Sequence, residues 1–157
     1  MEARDLASIA GHLMIIQFMI GGGLIVLSAM VAALCWWGLE VVLTRAHAWV
    51  GQEPHGPKLA VLLCLAMLWT AVMVTASVWI WALALYALQL FPTLEASIYF
   101  ALVVFTTLGY GDVLLPVEWQ LLGGLAAANG LLMFGLLTAM LVETLRETRQ
   151  RQRERFR

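Results

Sequence analysis

Charge is scarce in this 157-residue chain: Asp, Glu, Lys and Arg make up 12% of it. Soluble domains carry roughly 25%. With 62% hydrophobic residues and a mean hydropathy of +0.88, an ordinary water-soluble globule is excluded. No metal-ligand spacing, catalytic triad or phosphate-cradling loop occurs anywhere in the chain. No pair of titratable groups converges inside an apolar stretch either, so neither an enzyme nor a resident cofactor is expected. The formal net charge is only -1, and no nucleic-acid partner is expected.

What fills the chain instead is uninterrupted apolar sequence. Residues 13–39, 59–94 and 119–142 contain no Asp, Glu, Lys, Arg or His, over 27, 36 and 24 residues. Each exceeds the roughly 20 residues that cross a hydrocarbon core as a helix. A fourth such stretch, 96–111, has 16 residues and is too short to cross and then emerge. The pattern predicts an all-α membrane protein with three transmembrane helices and one re-entrant segment. A cleaved signal peptide is a poor fit to the first stretch. Its run is longer than the roughly 7–15 residues of such a peptide, and Glu2 and Asp5 accompany Arg4 in front of it.

The fourth stretch runs into Thr107-Leu108-Gly109-Tyr110-Gly111-Asp112. A dehydrated cation needs rings of oxygen ligands at fixed radius, and consecutive backbone carbonyls can supply several rings in file. Carbonyls alternate sides along an extended chain. Turning them all one way takes repeated left-handed dihedrals, which glycine alone adopts cheaply. Gly109 and Gly111 stand at the alternate positions that this geometry needs. Thr107 adds a hydroxyl at the inner end, and the Tyr110 ring can prop the ribbon from behind.

This hexapeptide resembles the selectivity filter of the potassium channel pore-domain family, usually Thr-Val-Gly-Tyr-Gly followed by Asp. Leu108 stands at the valine position, where only the backbone carbonyl would face the ion. The resemblance implies potassium coordination by Thr107, Leu108, Gly109 and Tyr110, with Gly111 and Asp112 shaping the outer mouth. Potassium is then the permeant ion. The resemblance covers 59–147 and implies an outer helix over 59–91, a pore helix over 94–106, the filter over 107–112 and an inner helix over 118–145. One chain contributes one filter strand, so the family's homotetramer is implied. Residues 1–58 add a transmembrane helix and a loop beyond the two-helix minimum, and 148–157 form a basic tail. A small bacterial inner-membrane channel is the expectation.

Local signals fit this division. Pro92 is expected to end the outer helix, with Thr93 as N-cap of the pore helix and Glu95 at its positive end. Some relatives pair the filter aspartate with a pore-helix glutamate. The matching position here is Val103, leaving Tyr99 as a substitute donor to Asp112. Glu95 and Glu118 read as solvated acids of the outer loops. Gly130 is either a gating hinge of the inner helix or a site of close helix contact, and close contact is the expectation for Gly135. Asn129 either lines a cavity below the filter or hydrogen-bonds a neighbouring helix. Gly21-Gly22-Gly23 suggests that the first helix packs tightly, on its own pore domain or on a neighbouring subunit. That helix has no arginine at every third position, so it is no voltage sensor.

Basic residues set the orientation. Arg45 and Lys58 lie between the first two helices and six arginines follow the third, which leaves Arg4 alone on the opposite face. The positive-inside rule then puts the C-terminus in the cytoplasm and the N-terminus outside. That places Cys35 and Cys64 on the reducing side, as small apolar fillers rather than a disulfide. Trp79, Trp81 and Tyr86 are expected at the outer interface, with Trp36, Trp37 and Trp49 at the inner one. The arginine-rich tail suits anionic lipid headgroups, or is simply a solvated helix. His47 and His55 either sense pH or are ordinary loop histidines. Two alternatives remain at this stage: a weakly selective monovalent cation channel, and a non-conducting membrane subunit of a potassium transport system.

Overall fold

A computed structural model describes the backbone over 2–50 and 55–155, with side chains over 8–41 and 64–140 and at 61, 142, 143 and 146. The side chains of Arg45, His47, Trp49, His55, Lys58 and the arginines from Arg149 onward lie outside the described residues.

Four helices account for nearly all of it: α1 (Glu2–Val50), α2 (His55–Ala87), α3 (Leu94–Phe105) and α4 (Gln120–Arg155). A 3-10 turn at Val117–Trp119 leads into α4, and the described residues contain no strand. Three stretches are long and apolar enough to cross a membrane: Ser8–Val41, Cys64–Ala87 and Val117–Met140. The all-α class with three such helices is therefore as the sequence predicts. Gly21, Gly22 and Gly23 do not interrupt α1, because backbone groups in hydrocarbon find partners only within the helix itself.

The outer helix ends earlier than expected. Instead of reaching 91, α2 stops at Ala87, five residues before Pro92. Gln89 takes a left-handed φ of 55°. Its N–H donates to the Tyr86 carbonyl at 2.9 Å, and the Leu90 N–H reaches back to the Leu85 carbonyl at 3.2 Å. This paired arrangement satisfies the last carbonyls of a helix and turns the chain sharply. The turn comes first, and Pro92 only shapes the loop beyond it. The expected inner helix of 118–145 is also longer here, because α4 runs on as helix to Arg155.

α3 starts where the sequence places it. The Thr93 hydroxyl accepts from the Ala96 N–H at 3.2 Å, and Glu95 lies in the first turn. At 12 residues and about 1.5 Å each, α3 is ~18 Å long and cannot cross a bilayer.

Contacts fix the relative directions. Gly21 of α1 faces Leu122 and Leu125 of α4, while Ala32 clusters with Met133 and Leu137 further along. The two helices therefore run parallel. α2 runs against them, with Met73 in the cluster of Ala32 and the Trp69 indole N–H donating to the Cys35 carbonyl at 3.2 Å. The chain thus leaves α2 and enters α4 on the same face, with α3 and the following ribbon dipping in and back between them. α3 packs into the groove between α2 and α4 through Phe100 and Phe105, which join the main core cluster together with Phe91 of the preceding loop.

Trp81 departs from its expected place at the membrane interface. It is fully buried, its ring edge-on to Phe105 with centroids 6.3 Å apart. The space between α2 and the end of α3 needs a large flat side chain, and this indole fills it. Trp79 and Tyr86, on other faces of α2, stay exposed.

Candidate functional site

The six-residue ribbon begins where α3 unwinds, and the unwinding has a defined geometry. Thr107 has a φ of 58°. Its N–H donates to the Val104 carbonyl at 3.0 Å, and the Leu108 N–H donates to the Val103 carbonyl at 3.1 Å. The same helix-ending arrangement thus occurs at the close of both α2 and α3, and both times a non-glycine residue holds the left-handed position. A β-branched residue there carries backbone strain of order 1–3 kcal/mol. The Gly109 N–H also turns toward the Val103 carbonyl, at 3.4 Å. Val103, which stands where some relatives have a glutamate, thus serves the ribbon through its backbone.

Beyond Thr107 the left-handed residues continue at every second position, with φ 57° at Gly109 and 74° at Gly111. A Cβ built on either glycine would meet nothing within 4 Å in its own chain, so within the chain their requirement is conformational. Alternation of this kind swings successive carbonyls toward one side of a ribbon instead of both. Leu108 is 58% exposed and Tyr110 67%. Within one subunit, no core covers the ribbon.

Asp112 closes it. The Tyr99 hydroxyl, near the middle of α3, donates to the Asp112 carboxylate at 2.6 Å, as the sequence suggests for a chain lacking the glutamate. This hydrogen bond is the main reason the Asp112 carboxyl sits below its ordinary value. The ribbon is therefore tied at both ends to the helix that precedes it.

Depth follows from the contacts of α3 with α4. Phe100 lies 3.3 Å from where a Gly123 Cβ would be, and the Phe105 backbone lies 2.5–2.9 Å from where a Gly130 Cβ would be. α3 descends beside α4, and its end comes level with Gly130, near the middle of the Val117–Met140 stretch. Gly130 is the place where α4 rests on the Phe105 backbone. Gly135 has nothing within 4 Å of a built Cβ, so the close contact expected there is not made within the chain. Asn129 is 2% exposed and faces the helix interior of its own subunit.

One residue of the site went unread in the sequence. Gln17 is buried in α1. Its Nε2 donates to the Glu118 carbonyl at 2.6 Å, and its Oε1 accepts the Leu122 N–H at 3.1 Å. One amide thus satisfies an orphan donor in the first turn of α4 and fastens α1 to the segment following the ribbon. The only trace in the sequence is a lone amide in a run without charge. Glu118 itself is exposed, in keeping with a solvated outer acid.

Comparison with known proteins supplies one match: the ion channel family model aligns with residues 62–147. No curated protein and no solved structure matches the chain. The aligned segment covers more than half of the sequence and takes in α2, α3, the ribbon and most of α4. This chain belongs to the ion channel family.

Proposed function

We propose that the chain is the pore-forming subunit of a potassium-selective channel that conducts passively, in multi-ion file, as a homotetramer. One observation carries the reading: left-handed φ at Thr107, Gly109 and Gly111, on a ribbon hung from a helix too short to cross. Non-helical backbone at membrane depth is tolerated only where protein buries it or it lines water. One ribbon cannot enclose an ion, and four around an axis can, cyclic symmetry being the ordinary way identical chains build a central site. The carbonyls of Thr107, Leu108, Gly109 and Tyr110, with the Thr107 hydroxyl, then replace the water shell of potassium. Gly111 and Asp112 shape the outer mouth.

In this arrangement the N-terminus of α1 is outside and the basic end of α4 lies in the cytoplasm of a cell membrane, next to anionic lipid headgroups. Gly130 serves opening of the inner mouth only so far as α4 can lift from Phe105.

Purified protein in liposomes, with a potassium, sodium and barium flux series, tests the reading. Barium-blocked flux of potassium well above sodium is the expected result. Comparable fluxes of the two ions would replace it with a weakly selective cation channel. No flux from a folded, membrane-inserted tetramer would replace it with a non-conducting subunit.

A further inference from the structure

Four buried side-chain polar atoms lack a hydrogen-bond partner among the described residues: Ser28 Oγ, Ser77 Oγ, Trp81 Nε1 and Asn129 Nδ2. They are not scattered. Ala32, Met73 and Met133, from α1, α2 and α4, pack in one cluster. One helical turn from each, in the direction of the ribbon's outer end, stand Ser28, Ser77 and Asn129. All three are at most 2% exposed, and each lies near the middle of its apolar stretch. Trp81 is one turn further along α2. Four residues apart, Ser77 and Trp81 share one face of that helix.

The two serines are unusual in a second way. Hydroxyls on these helices ordinarily donate to the carbonyl four residues earlier, as Thr70, Thr75, Thr138 and Ser97 do at 2.8–3.2 Å. Ser28 and Ser77 do not, so their hydroxyls are spared for the space between helices. Leaving four such groups dry in a low-dielectric interior is costly, because each forfeits its hydration without replacement. A buried water needs two to four polar partners, and the set here is complementary. The Trp81 and Asn129 N–H groups donate, and the two serine oxygens accept.

We propose that Ser28, Ser77, Trp81 and Asn129 form an internal water site at mid-membrane that fastens α1 to α2 and α4. The site lies directly behind the base of the ribbon. Trp81 stacks edge-on against Phe105, and Asn129 precedes the glycine that rests on the Phe105 backbone. The added helix is thereby linked by polar contacts, and not by apolar packing alone, to the residues that support the ribbon.

A structure of the full-length protein in lipid nanodiscs, at a resolution that shows ordered water, is the first test. Density within hydrogen-bonding distance of at least three of the four groups is expected. Direct pairing among the side chains, or a dry gap, overturns the proposal. Melting temperatures of S28A, S77A and the double variant provide the second. If both serines share one water, the double variant lowers the melting temperature by clearly less than the two single shifts added together. Strictly additive shifts, or no shift in either single variant, count against the site. Neither readout depends on which ion the channel conducts.

Discussion

Replacing Gly130 by alanine separates two roles that the sequence alone leaves open. The added methyl would sit 2.5 Å from the Phe105 carbonyl oxygen and 2.6 Å from its Cα. Ordinary contact begins near 3.4 Å, so α4 and the end of α3 must part by about 0.9 Å. Both obstacles are backbone, and no rotamer change relieves them. Overpacking of this kind costs typically 1–3 kcal/mol, and the missing side-chain escape puts Gly130→Ala near the top of that range. Alanine recovers up to about 1 kcal/mol through its better helix propensity. The net loss is then about 2 kcal/mol, which for a chain of this length lowers the melting temperature by roughly 4–8 °C. Thermal unfolding in detergent, followed by tryptophan fluorescence, reads the shift. Gly22→Ala is the control, since a Cβ at Gly22 meets nothing within 4 Å and only the propensity gain applies. If Gly130 were solely a flexible joint, its alanine variant would melt at or above the parent. That outcome would refute the packing argument.

Three further outcomes follow from the site. Gln17→Ala leaves the buried Leu122 N–H without its acceptor, which costs about 1–3 kcal/mol; protection of that amide in hydrogen exchange should fall, while α3 keeps its own. Tyr99→Phe removes the bond that holds the Asp112 carboxyl low. A depressed carboxylate stabilises the fold at neutral pH and loses that contribution as pH falls through its folded value. Tyr99→Phe should therefore be less stable than the parent at neutral pH, with the gap closing as pH falls, and a gap of the same size at acid pH would count against the pairing. Gly109→Ala must hold a φ of 57° with open space around the new methyl. The expected cost within the chain is that of the backbone, about 1–2 kcal/mol, and ion discrimination should be lost in liposome flux.

Much of this architecture was legible because hydrocarbon imposes simple rules on sequence. Runs without charge gave the three long helices, and the short fourth run gave the re-entrant segment. Thr93 and Glu95 announced the start of α3 through capping chemistry, which is local. The end of α2 was not legible in the same way. Proline advertises a helix stop, yet backbone hydrogen bonds around Gln89 close the helix first, in a conformation that glutamine does not signal. Thr107 is similar: the glycines predicted left-handed geometry at 109 and 111, and nothing about a threonine predicted it at 107. Trp81 looked like an interfacial anchor because composition cannot distinguish the faces of a helix that is apolar all round. Gln17 and the partner of Gly21 depend on which helix lies beside α1, and that is settled only by the three-dimensional arrangement.

The position of α1 has a consequence for the surroundings of the molecule. By lying along both α2 and α4, it takes a place that acyl chains would otherwise fill against the early turns of α4. Gln17 and Gly21 replace a fluid, exchangeable neighbour with a covalently tethered one. The upper part of the conduction pathway should therefore respond little to changes in bilayer thickness or lipid species. Sensitivity to the membrane would concentrate where α4 continues past its apolar stretch toward Arg146.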